Sequence, residues 1–500
     1  MEFVSGEGRF WLPRQPKRVV HGTVTFGEDG VALNLADSLR GPVPRPSGGF
    51  GGSASLASEP VIHGRLLDGR EVSLQGARGM SWPVDGIQES WQADFLFTGG
   101  LVTSDRFIRV QVVFDCLMPW AAPAGIARGE IGSDDVSVDT RRITLDQAIL
   151  GDRTKVRLCT GVEGRWGHSR VHLDQWTAFE VTSLVGKART IRDVLEDWVR
   201  PLQDLLVVSL GRPVRIDELA VCPRGQPGRK LFVDVACQLI QPRPGKSPTA
   251  ADIGSYTAPT LLTYRDLTAR EAPVSFAELI PAWFGLHERL SDVVTGLCGP
   301  YYAPFIYSGH RYASTFQSAE ALAHGIFDSK EKTRPEHRAR VDEVAAALEI
   351  SGLGAENLGW ATRVLLGRND KPLRQLMEEL ITGAGQIGVR LTRAAPRLAE
   401  EAAAARALVS HPGSGGPSVI RRYWIGEALT WIVRAHLLSQ LGIPMKDVAL
   451  KAIQRASFEQ VLTGLRTDRP VSAPRTTGYH HGSCPVAHRS QAAVGRCRNR

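Results

Sequence analysis

The residue types best suited to chemistry lie together in EEAAAARALVSHPGSGGP, residues 400–417, where Arg406 is followed five positions later by His411. An imidazole with an ordinary pKa near ~6.5 can take or give a proton at neutral pH. A guanidinium stays charged and can grip two phosphoryl oxygens at once. Metal-independent RNA cleavage needs both groups. A base removes the proton of the ribose 2′-OH as that oxygen attacks the adjacent phosphorus, and a fixed cation holds the charge that builds on the phosphoryl oxygens. Because the attacking group is the 2′-OH, RNA rather than DNA is the expected substrate. One such pair supplies one base and one clamp. A second histidine, to protonate the leaving oxygen, is expected from a symmetric partner chain.

Spacing alone does not select this pair. With arginine and histidine this frequent, about 4 Arg-x4–6-His matches arise by chance. The chain has five: Arg14/His21, Arg165/His172, Arg406/His411, Arg475/His480 and Arg475/His481. Only Arg406 lies near the end of a strong helix former. The His411-Pro412 bond biases the histidine away from α conformation, so the helix is expected to end near Ser410. Inside one straight helix, residues five apart point about 140° from each other and do not converge on one phosphate. A histidine on the turn beyond the helix escapes that limit. The competing reading is a solvated arginine and a helix-stop histidine that satisfies terminal carbonyls.

The elements that must position this pair fall into two kinds. Residues 1–265 read mainly as strands. VVHGTVTF (19–26), VALNL (31–35), PVIHGRLL (60–67), EVSL (71–74), WQADFLF (91–97) and RFIRVQVVF (106–114) are rich in β-branched and aromatic residues. Asp29-Gly30 and Asp68-Gly69 are two-residue turn signals between them, and KVRLCTG, SRVHLD, TAFEVTS, PVRIDELAV and KLFVDVACQLI add further strands. One helix interrupts, 190–210, with a kink expected at Pro201. The glycines of RPSGGFGGSAS (45–55) open no helix with GK[ST], so they read as a loop and not a phosphate cradle. QPRPGKSPTAADIG (241–254) reads as a linker.

From about residue 270 the period becomes helical. Ser275 and Glu278 form a capping box for a helix expected to run to about Cys298. Helices follow at 312–327, 336–350, 371–381, the segment leading to Arg406, and 418–442. The last has an expected apolar stripe of Ile420, Trp424, Trp431, Ala435 and Leu438, with Ser418 as its cap and Gly442 as its stop. The class expected is α+β. Three segments are expected: a β-rich domain at 1–265, a helical domain at 270–465 and a basic tail at 466–500.

Hydrophobic residues at 43% and charged residues at 22% fit a soluble globular protein. No apolar run is long enough to span a membrane, and MEFVSGEGRFWLPRQ has no apolar h-region, so no membrane association and a cytoplasmic location are expected. Seven dispersed cysteines read as reduced thiols. Of the formal charge of +8, +6 falls in 466–500, so the basic character is largely a tail able to attract RNA non-specifically. His480, His481, Cys484, His488 and Cys497 lie in that tail without a C-x2-C pair, so no metal site and no cofactor are expected.

Two stretches of the chain resemble a known family. GRFWLPRQPKRVVHGTVTFGEDGVALNL, with PVIHGRLLDGREVSLQG after it, is similar to the opening of the ApeA family of bacterial anti-phage proteins. TIRDVLEDWVRPLQDLLVVSLGRPV resembles the family's helix after its β-rich half. Arg406, His411, the loop PGSGGPSVIRR and the helix ending LLSQLGIP resemble, in that order, the ApeA-type HEPN domain. The resemblance spans about residues 5–455. It implies an abortive-infection effector, an endoribonuclease acting on host RNA such as tRNA, and a dimer or higher homo-oligomer with two motifs facing each other. Arg406 and His411 would be its catalytic residues, and Glu320, an acid in an early HEPN helix, would orient one of them. The N-terminal half would sense a phage-encoded trigger. The family commonly carries a polar residue after the arginine; here it is Ala407. The alternative is a catalytically inactive HEPN dimerisation module on a sensor, whose binding face would be built from Trp11, Trp82, Trp91, Trp120, Trp166 and Trp176. Core aromatics are the plainer reading of those tryptophans.

Overall fold

The computed structural model of the protein describes residues 5–27, 30–40, 55–82, 88–121, 127–128, 137–138, 142–166, 171–224, 233–236, 274–302, 308–410 and 416–467. The chain is α+β, with strands up to Ala236 and helices from Phe276 onward. The strands are β1 (Ser5–Trp11), β2 (Val20–Gly27), β3 (Gly30–Leu35), β4 (Ser55–Leu66), β5 (Glu71–Trp82), β6 (Gln88–Ala93), β7 (Phe95–Thr98), β8 (Phe107–Phe114), β9 (Ala127–Arg128), β10 (Ser137–Val138), β11 (Ile143–Ile149), β12 (Thr154–Trp166), β13 (Val171–Ser183), β14 (Ile216–Pro223) and β15 (Val233–Ala236).

Strands β5-β4-β1-β2-β3-β6 pair in that order and β6 returns to β5, which closes a barrel. Alternation fills it: Phe10, Val24, Phe26, Leu33, Ile62, Leu74 and Trp91 all point inward. The run 91–97, expected as one strand, is two. Asp94 breaks it, receiving Arg78 at 3.1 Å and Arg192 at 2.7 Å. At the same place β5 changes partner, pairing with β6 through Arg78–Trp82 and with β7 through Val72–Gln75. Gly76 (φ +67) lies against the Asp94 carboxylate at this branch. The sheet then continues outward from β7 through β15, β14, β8, β13, β12 and β11, while β9 and β10 form a separate ribbon. The described part of SRVHLD, from Val171, and TAFEVTS, expected as two strands, share the single strand β13. The Asp68-Gly69 turn is a three-residue loop, because Leu66 N–H donates to Arg70 O at 2.9 Å and Gly69 takes φ +87. The Asp29 turn lies outside the described residues, and Gly30 already belongs to β3.

The short helix α1 (Leu117–Ala121) follows β8. The expected helix at 190–210 is α2: Ile191–Val194, a π-helical turn Leu195–Val199, then Arg200–Leu210. Thr190 and Asp193 form its capping box. Pro201 sits in the first turn of the last part, where it needs no N–H. The irregularity therefore falls one turn before the proline.

The helical half contains α3 (Phe276–Arg289), α4 (Ser291–Tyr302), α5 (Ser308–Ile326), α6 (Arg334–Ile350), α7 (Ala355–Leu366), α8 (Leu373–Gly383), α9 (Gln386–Ala394), α10 (Leu398–Ser410), α11 (Val419–Gln440), α12 (Met445–Ile453) and α13 (Ala456–Thr467). The capping box at Ser275 and Glu278 forms, but the helix it opens stops at Leu290 and a second one begins. The stripe expected on α11 is incomplete. Ile420 is exposed, while the helix is buried on all sides from Leu429 to Leu438, Arg434 and His436 included. A helix in the middle of a bundle is covered all round and has no single apolar face to display. The glycine loop up to residue 54, the linker 241–254 and the tail from 468 lie outside the described residues.

One apolar core holds residues of both halves, Phe179 and Leu205 together with Trp283 and Leu437. Buried polar groups cross the same junction. Trp283 Nε1 donates to Pro201 O at 2.6 Å, Asp204 accepts from Tyr302 Oη at 2.5 Å, and His287 Nε2 lies 2.9 Å from Asp204. Arg434 Nε donates to Val208 O at 2.9 Å, at the last turn of α2.

Candidate functional site

Helix α10 forms from strong helix formers, with Glu400 and Glu401 in the first turn where the helix dipole favours acids. Its inner face is small: Ala402 and Ala405 are buried, so neighbouring helices approach closely. The helix runs through Ser410, where the sequence places its end. Arg406 leaves it half-buried, and its Nε donates to Glu320 Oε2 at 2.7 Å. The side chains are 22% and 29% exposed, so the pair is reachable from solvent yet partly shielded from it. Glu320 stands on α5 between the buried Ala319 and Ala323, on the turn before the exposed His324. Arg406 and Glu320 are thus brought together from positions 86 residues apart.

His411 lies outside the described residues. The chain resumes at Gly416, whose backbone lies so close to the Leu408 side chain that no Cβ fits between them. Gly416 therefore packs against the last turns of α10. Ala407 is exposed on that helix.

Charges that the sequence reading did not single out brace the arrangement. Ser418 caps α11 by accepting from Arg421 N at 3.0 Å. Arg421, 4% exposed, donates through Nε to Glu401 on α10 at 2.7 Å and through Nη1 to Leu465 O on α13 at 2.6 Å. Arg311 on α5 reaches Glu427 on α11 at 3.1 Å, and burial holds the Glu427 carboxyl above its usual range. The available signal was charge inside an otherwise apolar helix. Such charges stay only where they are paired.

Among the described residues, no group of three or more His, Cys, Asp or Glu side chains is placed to hold a metal ion. No described helix is long and apolar enough to cross a membrane. Trp91 and Trp120 are core residues. Trp11 meets His63 edge-on at 6.2 Å, and Arg142 lies over Trp176 at 5.5 Å. The aromatic binding face of the alternative reading therefore loses Trp91 and Trp120 to packing. The tail residues His480, His481, Cys484, His488 and Cys497 lie outside the described residues.

Residues 7–266 match the family model for ApeA N-terminal domain 1. The match takes in the barrel, the extended sheet and α2. No curated protein and no solved structure matches the chain.

Proposed function

Starting from a chain that belongs to the ApeA N-terminal domain 1 family, we propose that the protein is a bacterial anti-phage effector whose helical half is a HEPN-type, metal-independent endoribonuclease. The observation that carries this reading is the pair that Arg406, near the end of α10, makes with Glu320 of α5. Glu320 engages Nε, which fixes the plane of the guanidinium. End-on contact with two phosphoryl oxygens uses the terminal nitrogens, so an arginine held in this way keeps the orientation a phosphate clamp needs.

In this mechanism His411 takes the proton of the ribose 2′-OH as that oxygen bonds to phosphorus. The P–O5′ bond breaks, and O5′ is protonated by the histidine of a second copy. The products are a 2′,3′-cyclic phosphate and a 5′-hydroxyl, with no net proton change. Arg406 stabilises the charge on the non-bridging oxygens. The substrate is cellular RNA, tRNA among its classes, the working form is a homodimer or larger homo-oligomer in the cytoplasm, and the β-rich half receives the phage-encoded trigger.

The test is incubation of total bacterial RNA with wild type and His411→Ala in EDTA, in extracts of infected and uninfected cells. Discrete cleavage by wild type alone is the expected result. Cleavage by both proteins, or its loss in EDTA, sinks the mechanism. Intact RNA in every arm, together with capture of a phage component by the N-terminal half, favours the inactive-module alternative.

A further inference from the structure

Two clefts flank α2 where the β-rich and helical halves meet, and one of them carries an arginine without a hydrogen-bond or ion-pair partner among the described residues. This cleft, about 430 Å³, is lined by Glu196, Arg200 and Gln203 of α2, Arg215 at the approach to β14, and Tyr301 and Tyr302 at the end of α4. That volume falls within the range of small-molecule sites. The Arg200 guanidinium lies over the Tyr302 ring at 4.2 Å. Stacking of this kind fixes the plane of the group and favours its charge, but it satisfies none of its five N–H donors. Among the described residues Arg200 has no hydrogen-bond or ion-pair partner.

The reason lies in the helix. Glu196 and Arg200 are four residues apart, with the acid on the N-terminal side, the spacing and order at which a regular α-helix forms an ion pair. The π turn Leu195–Val199 falls between them, and no such pair forms. Turns of this kind concentrate at functional sites. Tyr302 is fixed in turn, because its hydroxyl donates to the buried Asp204 at 2.5 Å. Arg215 stands on the opposite wall, 3.6 Å from Asp115, a carboxylate it shares with Arg212 at 3.5 Å. Two arginines, Arg212 and Arg215, thus share the Asp115 carboxylate, while Arg200 stands apart from it. The lining of the cleft carries two arginines against one glutamate, beside tyrosine walls.

We propose that this cleft binds a small phosphorylated ligand of mononucleotide size, anchored by Arg200 and assisted by Arg215. The site lies between α2, inside the family-matched region, and α4 of the helical half, so an occupant contacts both. The proposal does not depend on RNA cleavage.

It is tested on the full-length protein at low salt by calorimetry and thermal shift, with AMP and inorganic pyrophosphate as separate probes. Wild type is expected to bind at least one probe saturably. AMP alone would assign a nucleotide, and both probes a phosphate site. Arg200→Gln is expected to weaken binding at least 10-fold with an unchanged melting midpoint in the absence of ligand. If Arg200→Gln does not fold, Arg215→Gln replaces it, with a loss of at least 3-fold expected. Arg289→Gln, on the far face of α3, serves as the control and should bind like wild type. Absence of binding by wild type at millimolar probe, or equal binding by wild type and the folded arginine variant, overturns the proposal.

Discussion

Gly211 ends α2 in the left-handed region, at φ +70, and a Cβ there would fall on the Arg434 guanidinium. Arg434 is 4% exposed, donates to Val208 O at 2.9 Å and stacks near Trp431 at 5.0 Å, so it has nowhere to retreat. Gly211→Ala therefore carries two penalties. The left-handed backbone costs about 1 kcal/mol for a residue with a Cβ. Displacing the guanidinium from its carbonyl removes a charge-assisted hydrogen bond, about 2 kcal/mol more. Gly69 is the control. It has φ +87 and nothing within 4 Å of its Cβ position, so Gly69→Ala carries only the backbone penalty. Thermal and urea unfolding should show a loss of about 3 kcal/mol for Gly211→Ala, against about 1 kcal/mol for Gly69→Ala. In an Arg434→Ala background the extra loss at Gly211 should vanish, which isolates the contact between the halves. Equal effects at the two glycines, or an extra loss that persists without Arg434, would refute the reasoning.

Glu320→Ala should lower RNA cleavage about 10- to 100-fold by removing the hydrogen bond that holds Arg406 Nε, while Glu320→Gln, which can still accept from Nε, should lose only a few-fold. The pair is partly exposed, so either change should alter stability by no more than about 1 kcal/mol; a larger loss would make the effect structural. His436, buried against Phe327 and donating to Leu380 O at 2.8 Å, is held below its ordinary pKa by burial. The unfolded chain then takes up a proton near pH ~6.5 that the folded chain resists. The stability this residue contributes is complete above that pH and is lost as pH falls below it, at up to about 1.4 kcal/mol per pH unit. Unfolding of His436→Gln between pH 7.5 and 5.5 should depend less steeply on pH than wild type; parallel curves would rule this out.

Much of the fold is legible because its signals are local. Alternating apolar residues mark the barrel strands, and Ser275 with Glu278 marks a helix start. What is not legible depends on distant partners. Nothing near Asp94 announces that Arg192 will meet it and split a strand in two. The burial of Arg434 and His436 depends on α2 and α8, which lie far away in sequence. At the candidate site the residue types could be read, and so could a helix carrying Arg406, which runs through Ser410. The pairing of Arg406 with Glu320 could not be read from spacing, because it joins two helices. Glu320 stands out in the sequence only through the family resemblance. Arg421 and Glu401, which pin α10 to α11, were missed because a charged residue in a helix usually faces water.

The most direct test of the proposed activity is the chemistry of the RNA ends, measured on fragments made in EDTA. Attack by the 2′-OH, with Arg406 and His411 at the phosphate, predicts 2′,3′-cyclic phosphate and 5′-hydroxyl ends that are absent with His411→Ala. Fragments ending in 3′-hydroxyl and 5′-phosphate would contradict it.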